Sequence, residues 1–176
     1  MNTYTFKDFK VEVVNDPDTE AMIADDEYYA SRHTVKVYSN ETEIASCVLL
    51  GTGGATGVYE DSSLLDEAGE QVVVCCGDTV FCLALPSLEL KWKNRADDAT
   101  CFRILWLEGN YLVHGEIEIT CLTPGGQVKW KFSGFDIFVS MDGEPSLTIA
   151  KNVILLRDFN GTPYTVDFNG NEIHLN

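Results

Sequence analysis

Gly77-Asp78-Thr79-Val80-Phe81-Cys82-Leu83-Ala84-Leu85-Pro86-Ser87-Leu88-Glu89-Leu90-Lys91-Trp92 aligns without a gap on Gly115-Glu116-Ile117-Glu118-Ile119-Thr120-Cys121-Leu122-Thr123-Pro124-Gly125-Gly126-Gln127-Val128-Lys129-Trp130. Gly, Pro, Lys and Trp coincide, an acid follows each first Gly, and Gly77 to Gly115 and Trp92 to Trp130 are both 38 residues apart. A repeat of that length is the mark of stacked structural units. Within each copy an apolar strand (72–76 or 110–113) meets the Gly-acid turn, and a second strand runs from Val80 to Leu85 or from Ile117 to Leu122. A turn carrying Pro86 or Pro124 follows, where the missing N–H of proline does no harm. A short strand then ends at Lys-Trp. Trp92 and Trp130 are expected to be largely buried between neighbouring sheets with Nε1 turned to a carbonyl.

A looser copy follows. Val153-Ile154-Leu155-Leu156 reads as a strand, Asn160-Gly161 as a tight turn, Tyr164 to Phe168 as a second strand, and Asn169-Gly170-Asn171 as a turn into Glu172 to Leu175. Leu175 stands where the other copies have Trp. Residues 4–14 alternate as a strand, 34–39 and 43–50 as a hairpin, and 19–31 as either a short helix capped by Asp18 or extended pieces. The segment from Val58 to Glu70 reads as a loop with a helical turn at Ser62–Ala68. The expected fold is all-β, of about three to four antiparallel propeller-like units, an incomplete or very small β-propeller. Its single domain, 1–176, divides approximately at 4–71, 72–109, 110–150 and 151–176.

The blocks from Val74 to Leu83 with Leu90-Lys91-Trp92, and from Gly125 to Trp130, resemble the blade repeats of the quinoprotein-like and WD-type β-propellers. The resemblance covers about residues 72–175 and implies one of three roles: binding pyrroloquinoline quinone, scaffolding an assembly, or displaying loops to partners. The chain has room for about four units against roughly twice that in a closed quinoprotein, so no cofactor is expected. It is also similar in a general way to small bacterial proteins, which carries no function over.

The charge is the feature with the most functional content. Twelve Lys and Arg face 28 Asp and Glu, a formal net charge of −16, more than a small domain needs for solubility. From Val37 to Leu90, 54 residues contain nine acids and no Lys or Arg, and residues 1–30 carry eight acids against Lys7 and Lys10. Basic residues gather instead at Lys91, Lys93 and Arg95 and at Lys129 and Lys131. Such a field repels nucleic acid and anionic membrane and accelerates capture of a basic protein. Glu60, Asp61, Asp66, Glu67, Asp97, Asp98 and Glu116 are the candidate partner-binding residues, while Gly77, Trp92, Gly115 and Trp130 are the structural repeat positions.

Other candidates carry less. Gly51-Thr52-Gly53-Gly54-Ala55-Thr56-Gly57 lacks the last glycine of the dinucleotide fingerprint and any following Gly-Lys-Ser/Thr, so it reads as a connecting loop. An unbroken strand would put His114, Glu116 and Glu118 on one face, a set able to hold a metal or do acid/base work. The equivalence of Glu116 to Asp78 places a turn there, and no metal is expected. Six cysteines without Cys-x-x-Cys spacing read as core thiols in a reducing compartment. Phe132, Phe135 and Phe138 read as core against Trp130, or as an aromatic docking patch. No basic-then-apolar leader opens the chain and no apolar run approaches a membrane span, so cytoplasm is the expected location. The expected function is binding of a basic protein, of inhibitor or immunity type. A small carboxylate-dependent hydrolase and a structural or assembly module are the alternatives.

Overall fold

A computed structural model describes residues 1–15, 22–24, 27–141 and 143–174. These residues form strands and turns and no helix. Strands β1 (Asn2–Phe6), β2 (Phe9–Asn15), β5 (Ser31–Ser39) and β6 (Thr42–Gly51) make the first sheet, with β3 (Met22–Ala24) and β4 (Glu27–Tyr29) as a separate two-stranded ribbon. The second sheet is β7 (Ser63–Asp66), β8 (Gln71–Cys76), β9 (Thr79–Ala84) and β10 (Leu90–Arg95). The third is β11 (Cys101–Leu107), β12 (Asn110–Gly115), β13 (Glu118–Leu122) and β14 (Val128–Ser133). The fourth is β15 (Leu147–Ala150), β16 (Val153–Arg157) and β17 (Pro163–Asp167). Every pairing is antiparallel and joins strands in chain order, so the fold is a series of four propeller-like meanders.

The two-residue period of a strand explains how the sheets stack. In β8 the side chains of Val72, Val74 and Cys76 join a cluster with Val11, Val35 and Val37 of the first sheet. Val73 and Cys75 point the other way, into a cluster with Ile104, Tyr111 and Val113 of the third sheet. Leu112, Ile119 and Cys121 then meet Ile154, Leu156 and Val166 of the fourth. Burial on both faces suits the β-branched run in β8. The outer strands β10 and β14 instead alternate half-buried residues with exposed Lys91, Lys93, Lys129 and Lys131. Charge on an open edge opposes strand-to-strand aggregation.

The repeat holds at the level of register, with one adjustment. Trp92 lies opposite Cys82 and Trp130 opposite Cys121, each beside a bulge. The gapless alignment pairs Cys82 with Thr120, one residue off. Strands β8 and β12, and β9 and β13, correspond at an offset of 39 with two residues in each turn between them, and the path from Cys121 to Trp130 is one residue shorter than that from Cys82 to Trp92, which restores the offset of 38 at the Trp. A one-residue slip swaps the two faces of a strand, and the structural register restores both cysteines to the same face.

Three expectations are corrected. Residues 63–66 form strand β7, not a helical turn, because Ser63 to Asp66 pair with Val74 to Gln71. The second sheet thus begins at Ser63, and the third begins at Cys101. Among the described residues after Asn171, a single bridge, Val166 to Glu172, continues the fourth sheet. Leu175 lies outside the described residues, as do 19–21 and 25–26, while the described parts of 19–31 include the extended pieces β3 and β4. The Trp92 and Trp130 side chains are half-buried, not largely buried.

Candidate functional site

In a meander the connectors between sheets and the second turn of each sheet lie at one end, while the first and third turns lie at the other. The candidate acids divide between these two ends. Glu60, Asp61, Asp97, Asp98 and Glu116 are at the connector end, and Asp66 and Glu67 at the hairpin end.

At the connector end two fully buried carboxylates fasten the connectors. Asp78 accepts hydrogen bonds from the hydroxyls of Thr52 and Thr79, each at 2.8 Å, and pairs with Arg95 Nε at 2.9 Å. Asp97 accepts four backbone N–H groups: Ala99 at 2.6 Å and Thr100 at 2.9 Å on Oδ1, Ile117 at 2.9 Å and Glu118 at 2.8 Å on Oδ2. A Cβ at position 115 would stand 2.2 Å from Asp97 Oδ2, so the close approach needs glycine. Asp97 is thus a bracket for the β12–β13 turn and not a rim charge. Asp61 accepts from both Nε and Nη2 of Arg103. Glu60 and Asp98 are exposed.

Glu116 is half-buried, and its backbone N–H donates to Thr100 O at 2.8 Å. Glu118 pairs with Lys131, and buried His114 lies 2.9 Å through Nε2 from the Phe138 carbonyl. The Glu118 and His114 side chains face separate partners. Strand β12 ends at Gly115 and β13 starts at Glu118, so the alternation that would align them is broken. Among the described residues no group of three His, Cys, Asp or Glu could hold a metal ion. In the glycine loop, Gly54 N–H donates to Ala99 O and Thr56 N–H to Ser31 Oγ, which ties the loop into the fold. Cys75, Cys76, Cys82, Cys101 and Cys121 are buried, and burial pushes their thiols up, away from the reactive thiolate.

At the hairpin end the second and third sheets form an aromatic-walled groove of about 740 Å³, with Trp92, Trp106, Gly69, Gly109 and Pro124 among its lining. Trp106, next to the last residue of β11, lies directly across from Tyr111 on β12, with ring centroids 5.1 Å apart, and the Trp92 ring lies 6.0 Å from that of Tyr111. Tyr111 is fully buried and Trp106 is 42% exposed. Beneath them Asp66, 4% exposed, accepts from the Tyr111 hydroxyl at 2.6 Å, Gln71 Nε2 at 2.9 Å and Gly69 N–H at 2.9 Å. Burial pushes the Asp66 carboxyl up, but these hydrogen bonds outweigh it and hold the group below its ordinary value as a carboxylate. Burial pushes the Tyr111 phenol up and Asp66 adds to the shift, so Tyr111 stays a donor. Lys91 lines the groove as well, and exposed Glu67, Glu70 and Glu108 adjoin lining residues in the chain.

Trp106 escaped the sequence reading because it stands outside the repeated block. The signal available was the alternation Phe102, Ile104, Trp106 running into Glu108-Gly109, a strand ending in an aromatic at a turn. The Phe132–Phe138 stretch divides: Phe138 is fully buried and packs with Phe132 and Tyr164, while Phe135 is 94% exposed.

No known protein-family profile and no curated protein matches the chain. Solved structures do. The chain is similar to the Pan2 WD40 domain of Neurospora crassa, at 12% identity over 65% of this chain and 36% of that one, with a TM-score of 0.51. It is similar to the CNH domain of AfRom2, at 14% identity over 94% of this chain and 50% of that one, TM-score 0.52. It is similar to the computationally designed protein Ika8, at 13% identity over 98% of this chain and 59% of that one, TM-score 0.56. At such identities the likeness establishes a propeller-like fold alone, and the chain spans less than two thirds of each of these structures.

Proposed function

We propose that this chain is a binding module for a basic protein partner, of inhibitor or immunity type, which it captures through acidic loops and then holds through a few exposed aromatic side chains. The observation that carries this reading is the charge imbalance of −16, sharpened by how the basic residues are used. Lys7, Lys10, Lys36, Arg95, Arg103 and Lys131 already sit in ion pairs with acids of the same chain. Glu60, Glu67, Asp98 and Glu108 remain exposed at the two turn-bearing ends, and Trp106 and Phe135 provide exposed apolar surface. A field of one sign raises the encounter rate with an oppositely charged protein and disfavours nucleic acid and anionic lipid. Propeller-like folds are well suited to this, because their loops converge at the ends of rigid sheets. The free thiols suit a reducing compartment, and cytoplasm is the proposed location.

Asp66 and Asp97 are buried and Asp61 is paired with Arg103, so the test uses the exposed acids. Affinity capture from the native host with identification by mass spectrometry supplies the partner. Association is then followed across a salt series. Replacing Glu60, Glu67 and Glu108 by Gln and Asp98 by Asn together should slow association about tenfold at low salt and change dissociation by less than about twofold. An association rate unmoved by both salt and the fourfold neutralisation would overturn the reading.

A further inference from the structure

We propose that the groove at the hairpin end of the second and third sheets is an arginine-binding site, in which a guanidinium of the basic partner stacks on Trp106 above the buried Asp66 carboxylate. The proposal rests on the acidic-capture reading and assigns it a place and a side chain.

Three features of the groove select the occupant. Its walls are aromatic. Trp92 and Trp106 flank Tyr111, and Trp92 is fixed because its Nε1–H donates to Pro124 O at 2.9 Å. Its floor is negative. Asp66 is held as a carboxylate by a phenol, an amide and a backbone N–H, all neutral groups, so its charge is hydrogen-bonded but not cancelled by them. Exposed Glu67 and Glu108 adjoin the lining residues Ala68 and Gly109 in the chain; Lys91, which also lines the groove and acts on Asp66 by its charge, donates to Gly69 O at 3.1 Å, and Glu70 pairs with Lys7. An anionic occupant would meet carboxylates on floor and rim, and a purely apolar one would leave that field unanswered. A cation over an indole face answers both. Arginine fits better than lysine because its planar guanidinium stacks on a ring and is more weakly hydrated than an ammonium. The mouth is lined by Gly69, Gly109 and Gly125, and a Cβ at Gly109 would touch nothing within 4 Å, which leaves room for a side chain to enter.

The test uses the intact protein and three acetylated, amidated peptides of equal length in which Gly alternates with Arg, Lys or citrulline. Binding is measured at low salt, and the indole Nε1–H resonances of the tryptophans are followed by NMR. The arginine peptide should shift the Trp106 indole and bind roughly five- to tenfold tighter than the lysine peptide, and citrulline should lose nearly all affinity. Trp106→Ala, at an exposed position, should abolish the preference for arginine while leaving salt-sensitive binding of both basic peptides. Glu67→Gln should weaken both. Equal affinities for arginine and lysine, or a preference that survives Trp106→Ala, overturns the groove and leaves the acidic-capture reading standing. Failure of both basic peptides to bind at low salt overturns both.

Discussion

Leu88 and Gly126 occupy the same turn position in successive sheets, with φ of +60° and +81°, yet they answer opposite neighbours. Trp92 of the second sheet lays its ring on Gly126 of the third, where a Cβ would come within 2.5 Å of Trp92 Cδ2. Trp130 repeats the contact on Gly170, donating its Nε1–H to Phe168 O at 3.0 Å. The outer strand of the first sheet, β6, carries no aromatic residue and packs Ala45, Cys47 and Leu49 into the cluster that the turn residue Leu88, 7% exposed, also joins. A large residue on the outer strand therefore demands glycine on the next sheet, and a small one permits leucine in spite of its backbone strain. Gly126→Ala should destabilise by about 2–4 kcal/mol, combining left-handed strain with overpacking. Leu88→Gly should also destabilise, because losing a buried leucine costs about 2–5 kcal/mol and relief of strain returns only about 1–2. Urea denaturation measures both. Adding Trp92→Ala should absorb part of the Gly126→Ala cost and none of the Leu88→Gly cost, a coupling that a double-mutant cycle reads directly.

At the scale of elements, the fate of His114 depends on where a strand stops. Its imidazole nitrogen holds Phe138 by the carbonyl, while Phe138 N–H donates to Glu116 O at 2.7 Å, so the segment between β14 and β15 is stapled to the β12–β13 turn. Burial holds the imidazole down, at about 4, and burial also lowers His33. Between pH 6.5 and about 4 the unfolded imidazole binds a proton that the folded one refuses, so stability rises with pH across that window. Acidification from 6.5 to 4 should therefore remove stability, on the order of 3 kcal/mol from His114 alone. Asp66 and Asp158, held low by hydrogen bonds that outweigh burial, lose their contribution only below about pH 4. Urea midpoints measured at about pH 7, 5.5 and 4 check this, and His114→Gln should flatten the upper part of the slope. The sequence placed β8, β9, β12 and β13 within a residue or two, because apolar runs and Gly turns are local signals. It missed β7, whose Ser-Leu-Leu-Asp has no alternation and is a strand through its partner β8. It grouped Asp66 and Asp97 with the rim acids because burial of a carboxylate depends on donors such as Tyr111, 45 residues away, or Ile117 and Glu118, 20 and 21 away.

The whole molecule sets two uses of charge against each other. Its outward faces differ: the first sheet turns out the ion pairs Lys10–Glu12 and Lys36–Glu43, and the fourth turns out Leu155, 42% exposed. Hydrophobic clusters at the three joins supply the stability, against which a net charge of −16 works by self-repulsion. Salt should separate the two effects. Raising ionic strength from about 10 mM to about 1 M shortens the screening length from roughly 30 Å to roughly 3 Å. Repulsion among the exposed acids then falls, while the buried hydrogen bonds of Asp66, Asp78 and Asp97 are screened far less. The isolated protein should become more stable as salt is added, measured as a rise in melting temperature in sodium chloride, whereas capture of the proposed basic partner should slow over the same range. The fourfold neutralisation of Glu60, Glu67, Asp98 and Glu108 should imitate salt in both experiments, raising stability and slowing association. A melting temperature that falls with sodium chloride would mean that the exposed ion pairs outweigh the repulsion, and that the acidic surface carries no stored cost for recognition to offset.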